Sequence, residues 1–341
     1  MKTIARLDID HLPRISLLDS PTPIQRLCRL ETRLGKALAG VRIYIKRDDQ
    51  IMFAGGGNKV RKLEYLMGAA LADGCDTIIA TGGLQSNHAR LTAAAAARVG
   101  IDCELVLGRV VPREDADYEQ NGNILLDKIF GAKLHILQRG QNASEFVYER
   151  AGKLAEAGKK VAVIPMGGSS AVGALGYARC AEEILAAETS LELEFDKILI
   201  PNGSSGTHAG LAAGFSALGR SADRVRSYSV LGEEDAASTT TLLLANGALD
   251  LLGCDHIHSN SLDISGEHRG AGYGIPTNDA MDVIGLLAKA EGILLDPVYS
   301  AKAFAGMLHD IRQGAFKPGS NLLFVHTGGM PGLYAYRSEF Q

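Results

Sequence analysis

Residues 76–100 read DTIIATGGLQSNHARLTAAAAARVG. The run from Asp76 to Thr81 is short and apolar, with two isoleucines, and reads as a buried strand. From Asn87 onward helix formers dominate, and the run closes at Gly100, where a left-handed helix end favours glycine. Strand, small polar turn and helix make half of a βαβ unit. The rest of the chain repeats the pattern.

CELVLG (103–108), KLHIL (133–137), KVAVIP (160–165), DKILIPN (196–202), RSYSVLG (226–232) and NLLFVHT (321–327) read as strands. Between them lie helical patterns: YEQNGNILLDKIFGA from Tyr118, ASEFVYERAGKLAEAG from Ala143 and AVGALGYARCAEEILAAE from Ala171. Further helices are expected from Thr207, from EDAASTTTLLLANGA at Glu234, from NDAMDVIGLLAKAEGI at Asn278 and after the segment LLDPVYS. This alternation implies parallel sheets covered by helices, an α/β protein. Ser259–Thr277 is the longest stretch without a pattern, a length often tied to function.

Composition sets outer limits. The 341 residues suggest two domains or one large one, and a net charge of -4 argues against nucleic acid or an anionic membrane as partner. No stretch approaches the ~18 apolar residues of a membrane span. The N-terminus carries acidic residues where a signal peptide would be apolar. Five scattered cysteines, Cys28, Cys75, Cys103, Cys180 and Cys254, are not spaced like metal ligands, and reduced thiols in the cytoplasm are expected. No metal is expected.

Four strand ends open into small or glycine-rich turns: Thr81–His88, Pro165–Ser170, Pro201–His208 and His326–Gly332. Ligands of open parallel sheets bind beyond the carboxyl ends of the strands, so a shared cleft is expected, although glycines also simply close turns. NGSSGTH (202–208) stands between a strand and a helix, where backbone N–H groups converge on an anion. It lacks the lysine of a nucleotide P-loop and the GxGxxG spacing of a dinucleotide fold. Ser86 and Asn87 stand at a helix N-terminus. They can cap it, bind a carboxylate, or both, with His88 in the first turn. GGGNKVRKLEYL (55–66) sets Lys59 at the mouth of a helix behind three glycines that allow a close approach to a ligand. A phosphate cradle, a carboxylate cradle and such a lysine are the parts needed to hold pyridoxal 5'-phosphate and an amino acid. A buried amine there would have a lowered pKa.

The segments GGGNKVRKLEYL, GGLQSNHARLTAAAAARVG, GSSGTHAGL, GAGYGIP, EGILLDPVYSAKAFAGM and LLFVHTGG together resemble the D-cysteine desulfhydrase/1-aminocyclopropane-1-carboxylate (ACC) deaminase family, from about Leu12 to Tyr336. The resemblance implies the fold of the tryptophan synthase β-subunit. That fold has two open, twisted, mainly parallel-sheet domains with pyridoxal phosphate in the cleft between them. Residues 58–168 would form a small inserted domain, and residues 1–57 plus 169–341 the large one. A homodimer is implied as well. Lys59 is implied as the Schiff-base lysine and Lys62 as a phosphate contact. Gly203, Ser204, Ser205, Gly206 and Thr207 would wrap the phosphate. Ser86, Asn87 and His88 would meet the substrate, with Asn87 also at the ring hydroxyl. Tyr273 and Tyr299 would face the substrate, Ser300 the pyridine nitrogen, and Thr327 the ring edge.

The residue after Tyr299 separates branches of that family. In the family it resembles, a carboxylate there keeps the pyridine nitrogen protonated, as ACC deaminases require. Ser300 is neutral, which suits β-elimination. QSNH at Gln85–His88 and HTGG at His326–Gly329 point the same way. The implied reaction converts D-cysteine to pyruvate, sulfide and ammonia. Two features depart from the pattern. Ala301 stands where glycine is expected, so its methyl would crowd the cofactor edge. Arg269 precedes Tyr273 by four residues; it is either a solvated charge or a partner for the sulfonate of L-cysteate, the substrate of sulfo-lyases in the same family. ACC deaminase, a racemase and a non-lyase binder of the cofactor complete the alternatives.

Overall fold

The computed structural model describes residues 6–341. Its ten strands are β1 (Ile24–Arg26), β2 (Arg42–Lys46), β3 (Thr77–Gly83), β4 (Asp102–Gly108), β5 (Lys133–Ile136), β6 (Val161–Ile164), β7 (Lys197–Asn202), β8 (Val225–Ser229), β9 (Asp263–Ser265) and β10 (Asn321–Val325). They form a six-stranded sheet, ordered β1-β2-β10-β7-β8-β9, and a four-stranded sheet, ordered β5-β4-β3-β6. Every pairing is parallel except β1 with β2. The α/β expectation is met, with all four strands of the second sheet drawn from Thr77–Ile164.

Central strands of the large sheet are apolar on both faces, as burial under helices on each side requires. Ile43, Ile45, Leu322 and Phe324 face one core with the helices Asn278–Glu291 and Ser300–Arg312, while Tyr44, Ile198, Ile200, Leu323 and Val325 face another with the helix Ala171–Leu191. A third core joins Ile78, Ala80, Leu105 and Leu107 of the small sheet to the helices Lys59–Ala72 and Asn87–Val99.

Three local features depart from the sequence reading. The pattern from Tyr118 is two short helices, Ala116–Gln120 and Asn123–Ile129, broken where Gly122 takes φ 63°. A Cβ on Gly122 would stand 2.6 Å from the Gln85 side-chain oxygen, so the break admits that side chain. The stretch Ser259–Thr277 contains β9, only three residues long. The N-terminal strands β1 and β2 give weak signals, since β1 is a half-exposed edge and β2 ends in a lysine.

That lysine belongs to a buried charge network that fastens the helix Lys59–Ala72 to the large sheet. Lys46 pairs with Glu183 at 2.8 Å, and Arg61 reaches Glu183 at 2.7 Å and Asp48 at 2.9 Å. Tyr177 donates to Asp48 at 2.5 Å. Burial opposes the charge on Asp48, but the Arg61 guanidinium wins and holds the carboxyl at about 2. Gly176 lets the two helices touch, because a Cβ there would meet the Arg61 carbonyl oxygen at 2.1 Å. The start of the helix, with Lys59, is thereby fixed relative to the end of β2 and to the helix Ala171–Leu191.

Candidate active site

Lys59 enters its helix from a loop with little freedom to vary. Gly55, Gly56 and Gly57 take φ values of 81°, 69° and 116°. A Cβ on Gly56 would lie 2.5 Å from the Asp49 carbonyl oxygen, so only glycine fits. Arg90 donates to the Gly56 carbonyl at 2.9 Å, and the Asn58 N–H donates to Thr327 O at 3.0 Å. Asn58 does not cap the helix with its side chain; its amide donates instead to Thr207 Oγ1 at 3.0 Å. The lysine helix is thus tied directly to the turn after β7 and to the turn after β10.

The turns after these strands enclose a cleft of about 360 Å³, within the usual range for small-molecule sites. Lys59, Lys62, Ser86, Asn87, His88, Gly203, Ser204, Ser205, Thr207, Tyr273, Tyr299 and Thr327 all line it. Three expected residues do not. Gly206 lies behind the wall, Ser300 is fully buried, and Arg269 turns its guanidinium to Glu233.

Burial pushes the Lys59 amine down to about 8. Burial and the neighbouring Lys59 push Lys62 well below its ordinary value. No acidic residue offsets either shift. Lys62 donates to the Gly167 carbonyl and to Ser169 Oγ, both at 3.2 Å. Close by is the helix Gly206–Ala217, whose N-cap residue Ser205 takes the left-handed conformation at φ 65°. Gly206 must be small, because a Cβ would meet Ser169 Oγ at 2.6 Å and Lys62 Nζ at 2.8 Å. Two amines, Lys62 buried and Lys59 half-buried, neither paired with a carboxylate and both close to a positive helix end, make a site for an anion.

Ser86 caps the helix Asn87–Val99, accepting from the Ala89 N–H at 3.1 Å. Asn87 accepts from Asn123 Nδ2 at 2.9 Å, and Gln85 bonds Tyr118 O, Asn121 O and the Asn123 N–H. The broken helix at Gly122 therefore buttresses this wall. His88 is buried and lies against Gly168; burial, with Lys59 and Lys62 nearby, holds it well below its ordinary pKa and so neutral.

Tyr273 and Tyr299 pack beside this wall, in one cluster with Leu84 and Tyr118, and share a hydrogen bond of 2.5 Å between hydroxyls, with their rings edge-on. Burial raises both phenols, Tyr299 strongly, so both stay protonated near neutral pH. Asp296, which the sequence reading did not single out, also lines the cleft. Its carboxylate accepts from the N–H groups of Val298, Tyr299 and Ser300, and from the Ser300 hydroxyl at 2.6 Å. Its only sequence cue is its place three residues before Tyr299. Ala301 packs in the apolar core under the large sheet, so its methyl is accommodated there and does not line the cleft. Arg109 and Arg139 line the cleft too, paired with Glu119 and Glu114.

A family model described as pyridoxal-phosphate dependent enzyme matches residues 15–328. The chain belongs to that family. It is 38% identical over 333 residues to D-cysteine desulfhydrase of Serratia proteamaculans (strain 568), covering 96% of this chain and 97% of that protein. It is also 38% identical over 337 residues to D-cysteine desulfhydrase of Klebsiella pneumoniae (strain 342), covering 96% and 98%. A crystal structure of an ACC deaminase homologue superposes with a TM-score of 0.85 at 36% identity, covering 97% of this chain and 96% of that one. A pyridoxal 5'-phosphate-dependent aspartate racemase shares the fold, at a TM-score of 0.64 and 14% identity.

Proposed function

We propose that this enzyme is a carbon–sulfur lyase that converts D-cysteine and water to pyruvate, hydrogen sulfide and ammonia. The carrying observation is Lys59, a half-buried amine lowered to about 8, at the mouth of a glycine-bounded helix and beside an anion site. The near-full-length relatives named D-cysteine desulfhydrase support the substrate class.

Bound pyridoxal phosphate supplies an aldehyde for an amine and a ring that draws negative charge from the substrate's α-carbon. We assign the phosphate to Gly203–Thr207, with Lys62 as counter-charge. Lowered to about 8, the Lys59 amine gives up its proton far more readily than an ordinary lysine, so it can hold the aldehyde and later take the proton from Cα. Ser86 and Asn87, at a helix N-terminus, receive the substrate carboxylate. The Tyr273–Tyr299 pair is protonated and lines the cleft; it protonates the departing sulfur or holds the proton that the leaving group needs. Ser300 acts behind this wall, through Asp296. Residues 58–168 serve as the smaller domain, closing over the substrate. A homodimer in the cytoplasm is the assembly and compartment we propose, tested by sedimentation and by cell fractionation.

The experiment is a side-by-side assay of pyruvate and sulfide from D-cysteine, L-cysteine, L-cysteate, β-chloro-D-alanine and ACC. Sulfide and pyruvate in equal amounts from D-cysteine are expected. Turnover of ACC with none of D-cysteine would overturn the reading.

A further inference from the structure

Outside the cleft, one cluster of donors has no role in the proposed reaction. Glu267, His268 and His309 each offer one ligand atom, and these atoms lie within 4.8 Å of one another. Glu267 and His268 precede Tyr273 in the same loop; His309 comes from the helix Ser300–Arg312. Sequence spacing could not reveal the group, because its members meet only through the fold.

His268 is held in place rather than left to wander. Its ring packs edge-on to Tyr228 at 5.7 Å and to His309 at 5.0 Å. Gly306 makes room for it, since a Cβ there would stand 2.8 Å from His268 Cδ2 and 2.6 Å from the Tyr228 ring. Its Nε2 is buried and makes no hydrogen bond. A buried ring nitrogen without a partner is uncommon and calls for an explanation.

We propose that Glu267, His268 and His309 form a site for one divalent transition-metal ion of the zinc type. Two imidazoles and a carboxylate are a donor set suited to zinc and its neighbours, and poor for magnesium or calcium, which prefer all-oxygen shells. Metal–ligand bonds of about 2.0–2.1 Å on a tetrahedron bring donors to roughly 3.4 Å apart. Glu267 and His309 are exposed and can turn inward to close the remaining gap, while His268 stays seated. The fourth position is left for water. The ion clasps the loop that carries Tyr273 to the helix that begins at Ser300. The contact strengthens one already present, where Lys302 donates to the carbonyls of Arg269 at 2.6 Å and Gly272 at 3.0 Å.

The test titrates the tag-free holoenzyme with Co²⁺ and then Zn²⁺, following the visible spectrum of cobalt. One equivalent of Co²⁺ with the intense bands of a tetrahedral nitrogen–oxygen site is expected, and Zn²⁺ should displace it. His309→Ala and Glu267→Gln change exposed side chains, so the fold and the cofactor absorbance should persist. Each should weaken binding beyond the roughly 10-fold that even outer-shell losses cost. Hydrogen exchange in residues 266–272 should slow when Zn²⁺ binds to the parent and not to His309→Ala. No stoichiometric Co²⁺ spectrum, a thiolate-to-cobalt charge-transfer band that places the ion on a cysteine, or equal affinity in parent and variants would each overturn the site.

Discussion

The Ser300 hydroxyl donates to Asp296 Oδ1 at 2.6 Å, and the Asp296 N–H donates back to the same hydroxyl at 2.8 Å. The serine proton is therefore committed to a carboxylate, and the oxygen presents a lone pair rather than an O–H to any further partner. Neutral as it is, Ser300 carries an acid behind it. The same carboxylate accepts three backbone N–H groups at the start of the helix Ser300–Arg312. Asp296→Ala would strand those donors. We expect a loss beyond the ~0.5–2 kcal/mol of an ordinary helix cap, measured by urea unfolding. Ser300→Ala, which leaves the backbone bonds intact, should cost less. Equal losses would show that the carboxylate has no anchoring role.

A second prediction follows from Lys59. Its amine sits at about 8 in the folded chain and at the ordinary 10.5 when unfolded. Between these values the unfolded state holds a proton that the folded state lacks, so stability rises with pH across that window. Below about 8 the folded state carries the whole penalty, on the order of 3 kcal/mol. Lys59→Met should thus stabilise the cofactor-free protein at pH 7 and flatten its stability profile between pH 8 and 10.5. An unchanged profile would remove the burial argument. In the loaded enzyme, borohydride reduction and peptide mapping should mark Lys59; a label on Lys62 or Lys302 would overturn its assignment.

Much of this was legible in the residues because strand, turn and helix signals were local. Asp76–Gly100 forms β3 and the helix Asn87–Val99, as its pattern predicts. The glycines before Lys59, and Gly203 and Gly206, stand at close approaches within the protein, where a Cβ would meet atoms such as Asp49 O, Thr327 O and Ser169 Oγ. The Asp296–Ser300 pair and the Arg61 network were not legible. In each, a charge is explained only by partners that the fold brings up. Arg61 alone in KVRK looks like one more surface cation, yet it is buried between Asp48 and Glu183.

Ser86 offers a third test, because one hydroxyl has a structural task that is visible and a catalytic one that is proposed. It caps a helix through the Ala89 N–H, and removal of such a cap costs about 1 kcal/mol. Ser86→Ala should therefore lower Tm by a few degrees and reduce kcat/KM far more than that loss of stability explains. Normal kinetics in the folded fraction would leave only the cap.

Arg269 carries the last prediction, on the choice between D-cysteine and L-cysteate. A buried sulfonate needs a cation, and an arginine with a free guanidinium would serve. The Arg269 guanidinium instead pairs with the exposed Glu233, and its carbonyl accepts from Lys302. A surface pair of this kind contributes about 0–1 kcal/mol. Arg269→Ala should therefore leave turnover of D-cysteine and of β-chloro-D-alanine within about twofold of the parent, and should not selectively impair any activity on L-cysteate. Arg109 and Arg139 do line the cleft, each paired with a glutamate, Glu119 and Glu114, that a sulfonate would have to displace. A selective loss of L-cysteate turnover in Arg269→Ala by roughly 10-fold or more, the effect of losing a hydrogen bond to a charged group, would show that the loop folds Arg269 inward in solution and would revive the sulfo-lyase reading.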